Sequence, residues 1–350
     1  MEQSIYLVLE NGTVFTGKSF GACAETTGEV VFSTAMSGYL ETLTDPAFYG
    51  QIVLQTFPLI GNYGVIAADF ESDSPKVRAY IVREWCHDPS NFRCEGDLDA
   101  FLKSKNVVGM YGIDTRKLTK LIRENGVMNA RITTELPEDL TALCEELKAF
   151  RIEEPVKAVT CAEKAEYKVE GAKKTVAVWD LGAKNSLIAD LNALSLNVIR
   201  VPAAVAAEEL LALGVDGVVL SDGPGDPAEN TGVIAEVKKV FDAGVPMFGI
   251  GLGHLILALS QGASSVKMQY GHRGANQPVK DQETGKVHIT SQYHGYVLET
   301  LPENAQPSFI NVNDLTNEGL VYTGKPAMSI QFNPKAFGLD VYSRFVNLMN

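Results

Sequence analysis

From Ala162 to Asn350 the chain contains no cysteine; all five, Cys23, Cys86, Cys94, Cys144 and Cys161, precede that stretch. The number is odd and no pair has CxxC spacing, which argues against a disulfide framework or a zinc cluster and fits a reducing compartment. Positive charge is also scarce. Thirty Lys and Arg stand against 43 Asp and Glu, a formal net charge of −13. Without a basic field to hold phosphates, neither nucleic acid nor an anionic membrane is expected as the main partner, although a small anion held by backbone amides stays possible. No uninterrupted apolar run reaches the ~18 residues that a bilayer span needs. Met1-Glu2-Gln3-Ser4 has no positive segment, so no secretory signal is expected. The expectation is a cytoplasmic protein with no metal site and no cofactor of its own.

At ~150 residues per domain, 350 residues suggest two domains, each able to bury a core. The first 60 residues are β-rich and punctuated by glycine. Residues 4–10 read as a strand, Asn11-Gly12 as a tight turn and 13–16 as the return strand, with a further strand at 29–34. Helical spacing covers 100–105, 114–124 and 137–151, with Asp114 or Thr115 as a cap. The charged stretch 153–172 has no clear period and reads as a linker, giving domains over 1–152 and 173–350. From Thr175 strands alternate with helices: strands at 175–180, 197–201, 217–221 and 245–250, helices at 185–194, 206–213, 234–243 and 254–261. This is the pattern of right-handed βαβ units. It predicts an α/β fold with a mostly parallel open sheet and ligands beyond the carboxyl ends of its strands.

Two turns stand at those ends. In Asp222-Gly223-Pro224-Gly225-Asp226-Pro227, glycines flanking a proline permit backbone shapes that point N–H groups outward, toward a carboxylate or an oxyanion. A plain strand-to-helix connection fits the turn equally well. Gly249-Ile250-Gly251-Leu252-Gly253-His254 has three readings. A dinucleotide GxGxxG loop needs glycine where His254 stands and normally follows the first strand of its unit, whereas this is the fourth. A nucleophile elbow carries its nucleophile at the central residue, here Gly251, which has no side chain. A Gly-rich turn serving only close packing is the third.

These turns, together with Gly28-Glu-Val-Val-Phe32, Met36-Ser-Gly-Tyr39, Leu43-Thr-Asp-Pro46, Pro58-Leu-Ile-Gly-Asn62, Gly112-Ile-Asp-Thr-Arg116, Gly271-His272 and Ser291-Gln292, resemble the small, glutaminase subunit of carbamoyl-phosphate synthetase along essentially the whole chain. The resemblance implies a β-rich α/β small-subunit domain followed by a class I glutamine amidotransferase domain. It also implies a partner, the large synthetase subunit, which makes carbamoyl phosphate for arginine or pyrimidine biosynthesis from bicarbonate, two ATP and ammonia. ATP and magnesium belong to that partner; no P-loop is present here.

The chain departs from the family where the chemistry sits. In the family a cysteine at the elbow attacks the glutamine carboxamide, a histidine activates it, and a glutamate two residues later orients the histidine. Those positions are Gly251, Asn333 and Lys335. Asn333 has no basic nitrogen, and a lysine cation at 335 would repel an imidazolium. The glutamine-binding positions change as well: a serine is Ala47, a glutamine is Leu255, and an asparagine is Tyr293, while Tyr296 stands mildly for a phenylalanine. The backbone donors carried over by resemblance are Gly223 and Gly225 for an oxyanion, and Leu252 and Gly295 for substrate. His254 is expected to pack, and His272, His288 and His294 to sit in loops or at strand ends.

The leading expectation is therefore a degenerate small subunit that cannot hydrolyse glutamine but still docks on the large subunit. A second is a metabolite-binding or regulatory protein using the emptied pocket, and a third an active glutaminase with a nucleophile from elsewhere. Restoring turnover is expected to need at least Gly251→Cys together with Asn333→His.

Overall fold

The computed structural model describes residues 3–336 and 338–350. The chain forms two compact units, Met1–Glu153 and Glu154–Asn350.

In the first unit the strands are β1 (Ser4–Leu9), β2 (Val14–Gly21), β3 (Thr26–Ser33), β4 (Gln51–Gln55), β5 (Leu59–Ile60), β6 (Ala79–Val82), β7 (Glu84–Trp85), β8 (Val108–Tyr111) and β9 (Met128–Thr133). The Asn11-Gly12 turn forms as expected, with Gly12 at φ 84 and Val8 opposite Val14. Seven strands close into a barrel in the order β1-β2-β8-β6-β4-β3-β9. Sequence spacing identified the hairpin and one further strand but not the closure, which depends on pairings between distant segments such as β1 with β9. Strands β4 and β6 bury every residue from Ile52 to Leu54 and from Ala79 to Val82. The helix Thr115–Asn125 starts on Asp114, whose carboxylate accepts the Lys117 N–H at 2.9 Å.

In the second unit the strands are β10 (Ala165–Tyr167), β11 (Lys174–Asp180), β12 (Leu196–Pro202), β13 (Gly217–Leu220), β14 (Met247–Ile250), β15 (Ser264–Asp281), β16 (Val287–Thr300), β17 (Ala305–Asn311), β18 (Asn317–Tyr322), β19 (Ala327–Ile330), β20 (Lys335–Ala336) and β21 (Leu339–Asp340). Ten of them form one sheet in the order β10-β12-β11-β13-β14-β19-β18-β17-β15-β16. The centre, β12 to β19, is parallel. The sheet is nonetheless mixed, because β15 to β19 run back and forth. The short links joining these strands leave no room for a crossover helix, so their neighbours must be antiparallel. The stretch 153–172 is not a bare linker. It contains a helix, Pro155–Val159, and β10, which pairs antiparallel with β12 at the sheet edge. Three residues of edge strand carrying a glutamate leave no readable period.

Side chains on successive strand residues go to opposite layers. Ala177, Trp179, Val218 and Met247 join the helices Ala207–Ala212, Thr231–Ala243 and Leu252–Ser260; Val176, Val178, Val219 and Phe248 join Asn185–Ala193 and Val341–Leu348. The parallel strands are thus covered on both faces, as their continuous apolar runs require. Trp179 is fully buried and its Nε1–H donates to the Ala203 carbonyl at 3.0 Å. Trp179→Phe strands that carbonyl and is expected to cost about 1–3 kcal/mol, read as a lower urea midpoint by far-ultraviolet circular dichroism.

Candidate functional site

Three neighbouring parallel strands end at one place. Leu220 of β13 pairs with Gly249 of β14, and Ile250 of β14 with Ile330 of β19. Beyond the strand ends, the Gly251 N–H donates to the Ile330 carbonyl at 2.9 Å and the Gly253 N–H to the Ser221 carbonyl at 3.1 Å. The turns at 221–227, 251–253 and 331–335 therefore meet at the carboxyl edge of the sheet, where open α/β sheets place their ligands.

At Gly251 the chain reverses from strand to helix within one residue, at φ 55 and ψ −114. That is the sharp backbone of a nucleophile elbow, and it strains any residue with a Cβ. The flanking glycines are needed for close approach: a Cβ on Gly249 would lie 2.6 Å from the Gly253 carbonyl oxygen, and one on Gly253 would strike the Leu220 carbonyl. Of the three readings of this turn, the backbone fits the elbow.

Asp222 occupies the space above the elbow. A Cβ at 251 would land on its Oδ1, well inside van der Waals contact, and 2.8 Å from its Oδ2. The same Oδ1 accepts the Leu252 N–H at 2.9 Å and the Gly223 N–H at 2.8 Å. Two of the four backbone donors carried over from the family are thus already engaged by a carboxylate of the chain itself. Sequence reasoning treated Asp222 as turn material; the available signal was an acidic side chain between the strand and the first glycine of the turn.

The remaining positions are held as follows. Asn333 is half-buried; its Oδ1 accepts the Lys335 N–H at 2.9 Å and its own N–H donates to the Ser291 carbonyl at 2.9 Å. Lys335 is exposed and its ammonium pairs with Asp190 at 2.6 Å. Leu255 is 2% exposed and packs in the core cluster that includes Leu252 and Ile256. The Tyr293 ring lies 5.3 Å from the Lys184 ammonium, and Tyr296 packs partly against the same core as Leu255. Gly295 backs onto Arg273, Gly225 is exposed at φ 92, and Ala47 is buried in the first unit, on the short helical turn Pro46–Phe48.

The histidines divide. His254 is fully buried, with Nδ1 2.8 Å from the Ser329 hydroxyl and no partner at Nε2. Burial pushes its pKa down to about 3. His272 and His294, expected in loops or at strand ends, instead lie within β15 and β16, buried and directly opposite each other. Both strands are longer than the local sequence pattern suggests, because bulges at three places break their alternation.

Installing a thiol in Gly251→Cys requires the carboxylate of Asp222 to move, and a carboxylate that stays nearby disfavours the thiolate. The thiol of Gly251→Cys is expected to alkylate slowly at neutral pH, and Asp222→Asn added to it should shift the alkylation profile to lower pH, followed by peptide mass spectrometry. The histidine gives a second expectation. Between pH 6.5 and about 3 the unfolded chain binds a proton at His254 that the native protein refuses. The stability this residue permits is therefore complete above pH 6.5 and lost as pH falls, by at most ~1.4 kcal/mol per pH unit. His254→Gln should flatten that part of a urea-stability series between pH 7 and 4.

Comparison with known proteins matches both units. Residues 7–132 match the carbamoyl-phosphate synthase small chain, CPSase domain, and residues 177–338 match glutamine amidotransferase class-I. The carbamoyl phosphate synthase small chain of Clostridium perfringens is 47% identical over 330 residues, covering 94% of this chain and 93% of its own. The carbamoyl phosphate synthase pyrimidine-specific small chain of Bacillus subtilis is 45% identical, covering 94% of this chain and 90% of its own. A glutamine amidotransferase of Thermotoga maritima, solved by crystallography, superposes with a TM-score of 0.39 at 19% identity over 47% of this chain and 76% of its own. With near-complete coverage at that identity and both domain types in order, this chain belongs to the carbamoyl phosphate synthase small-chain family.

Proposed function

We propose that this chain is a small subunit without glutaminase activity, which docks on a large synthetase subunit and supports carbamoyl phosphate synthesis from free ammonia. The observation that carries the reading is the carboxylate of Asp222 seated on the Leu252 and Gly223 amides, where a side chain at 251 would begin. Amide hydrolysis by a thiol builds negative charge twice, on the attacking sulfur and on the carbonyl oxygen of the tetrahedral intermediate. A carboxylate 4 Å from such a charge costs about 4 kcal/mol at the effective dielectric of a protein surface. It also occupies amides that would otherwise stabilise an oxyanion.

Among the described residues, neither Asn333 nor Lys335 supplies a substitute base. Asn333 cannot take a proton from a thiol, and Lys335 is drawn to Asp190 on the helix Asn185–Ala193. Loss of a nucleophile–base unit typically costs on the order of 10⁴–10⁶ in turnover. Support for the partner comes from the family itself and from retention of the complete first unit. ATP, magnesium and the ligase chemistry belong to that partner, in the cytoplasm.

The test is reconstitution with the large subunit from the same source. Ammonium salts are expected to support carbamoyl phosphate formation, while saturating glutamine gives a rate at least about 10⁴-fold lower than a competent small subunit would. Equal rates on glutamine and ammonia, or failure to co-purify with the large subunit, would refute the proposal.

A further inference from the structure

The buried pair His272 and His294 lies on the antiparallel wing of the second unit. It faces Glu318 of β18, and one ligating atom from each of the three lies within 4.8 Å of the others. Glu318 is 0% exposed. Its Oε1 accepts from the Asn311 amide at 2.9 Å and stands 3.5 Å from His272 Nδ1, while its Oε2 has no hydrogen-bond partner. A buried carboxylate oxygen without a partner is a costly group that calls for a cation.

The imidazoles add a second, independent argument. The outward nitrogens face acceptors: His272 Nε2 is 2.9 Å from Asp314 Oδ2, and His294 Nδ1 is 2.9 Å from the Tyr296 carbonyl. The inward nitrogens, His272 Nδ1 and His294 Nε2, each lie 3.0 Å from Gln292 Oε1. The Gln292 amide is fixed in this orientation, since its Nε2 donates to Thr290 Oγ1, whose hydroxyl donates onward to the Gln277 carbonyl. A neutral imidazole carries one N–H. His294 therefore cannot satisfy both of its acceptors; whichever tautomer it takes, one lone pair faces another.

We propose that His272 Nδ1, His294 Nε2 and Glu318 bind one divalent metal ion of the zinc class, with Gln292 Oε1 as the remaining oxygen donor. Ligand atoms 2.0–2.1 Å from a tetrahedral zinc ion stand about 3.4 Å apart, and the 3.0 Å and 3.5 Å separations between these donors bracket that value. The outward contacts are those that orient metal-binding histidines: a carboxylate behind one ring and a backbone carbonyl behind the other. Two imidazoles with oxygen donors suit zinc and its neighbours better than calcium or magnesium. The side chain of Asp314 is 37% exposed and gives the cluster an edge toward solvent. The cluster stands on β15, β16 and β18, with His294 between the pocket positions Tyr293 and Gly295.

The experiment is titration of the chelator-treated full chain with zinc alone, by calorimetry and by ¹⁵N NMR of the imidazoles. One equivalent is expected to bind, moving the nitrogen resonances of His272 and His294 to metal-bound positions and raising the thermal midpoint. Glu318→Gln should weaken binding about 100-fold and Asp314→Asn about 10-fold, with His294→Gln abolishing it. Failure of the wild-type imidazole resonances to respond to zinc would overturn the proposal even if a variant failed to fold. So would stoichiometric binding that survives both Glu318→Gln and His294→Gln, since the metal would then be held by other groups.

Discussion

The helix Leu252–Ser260 begins at a residue that cannot cap it. Its first turn presents amides with no helical partner, and Gly251 has no side chain to accept from them. The carboxylate of Asp222, arriving from the end of the adjacent strand, accepts the first of these N–H groups and so caps the helix from outside. An anion is favoured there by the helix dipole, and a cap of this kind is worth about 1 kcal/mol. The arrangement at the site follows from that contact. With a glycine at the elbow the sharp backbone is carried without a Cβ, and with an acidic neighbour the amides are satisfied without a ligand. The sharp elbow backbone and the carboxylate contact thus form one local unit.

The same edge of the sheet shows what holds the elbow in place. The elbow is held by backbone bonds from Gly251 to β19 and from Gly253 to the end of β13, and by a core that includes Leu252 and Leu255. None of these supports involves a side chain at positions 251, 333 or 335. Asn333 closes its own turn, and Lys335 pairs with Asp190 of the helix Asn185–Ala193.

Where one local period persisted, the sequence was readable. The strands and helices from Lys174 to Ser260 stand where their apolar spacing puts them, because each strand there is a short buried run and each helix has one apolar face. The sharp turn at Gly251 was equally visible. The barrel closure of the first unit, the bulged hairpins after Ser264 and the edge strand at Ala165–Tyr167 were not, since each depends on pairing between segments whose own patterns are short or interrupted. Leu255, assigned to a pocket by analogy, is 2% exposed and joins the core of the second unit. Asp222 and the Glu318 cluster were missed for one reason: the roles of these side chains are set by partners 30 residues or more away in the chain, Leu252 for the first and His272 for the second.

The first unit's ring of seven strands has a further implication. Because every strand of that cylinder already has two neighbours, no ladder of unpaired backbone groups is left along its wall. A macromolecule associating with it cannot extend the structure by contributing a strand of its own. It has to read side chains and loops, which confines recognition to shape and charge, so the affinity of such an assembly should respond to single surface substitutions more than to main-chain register.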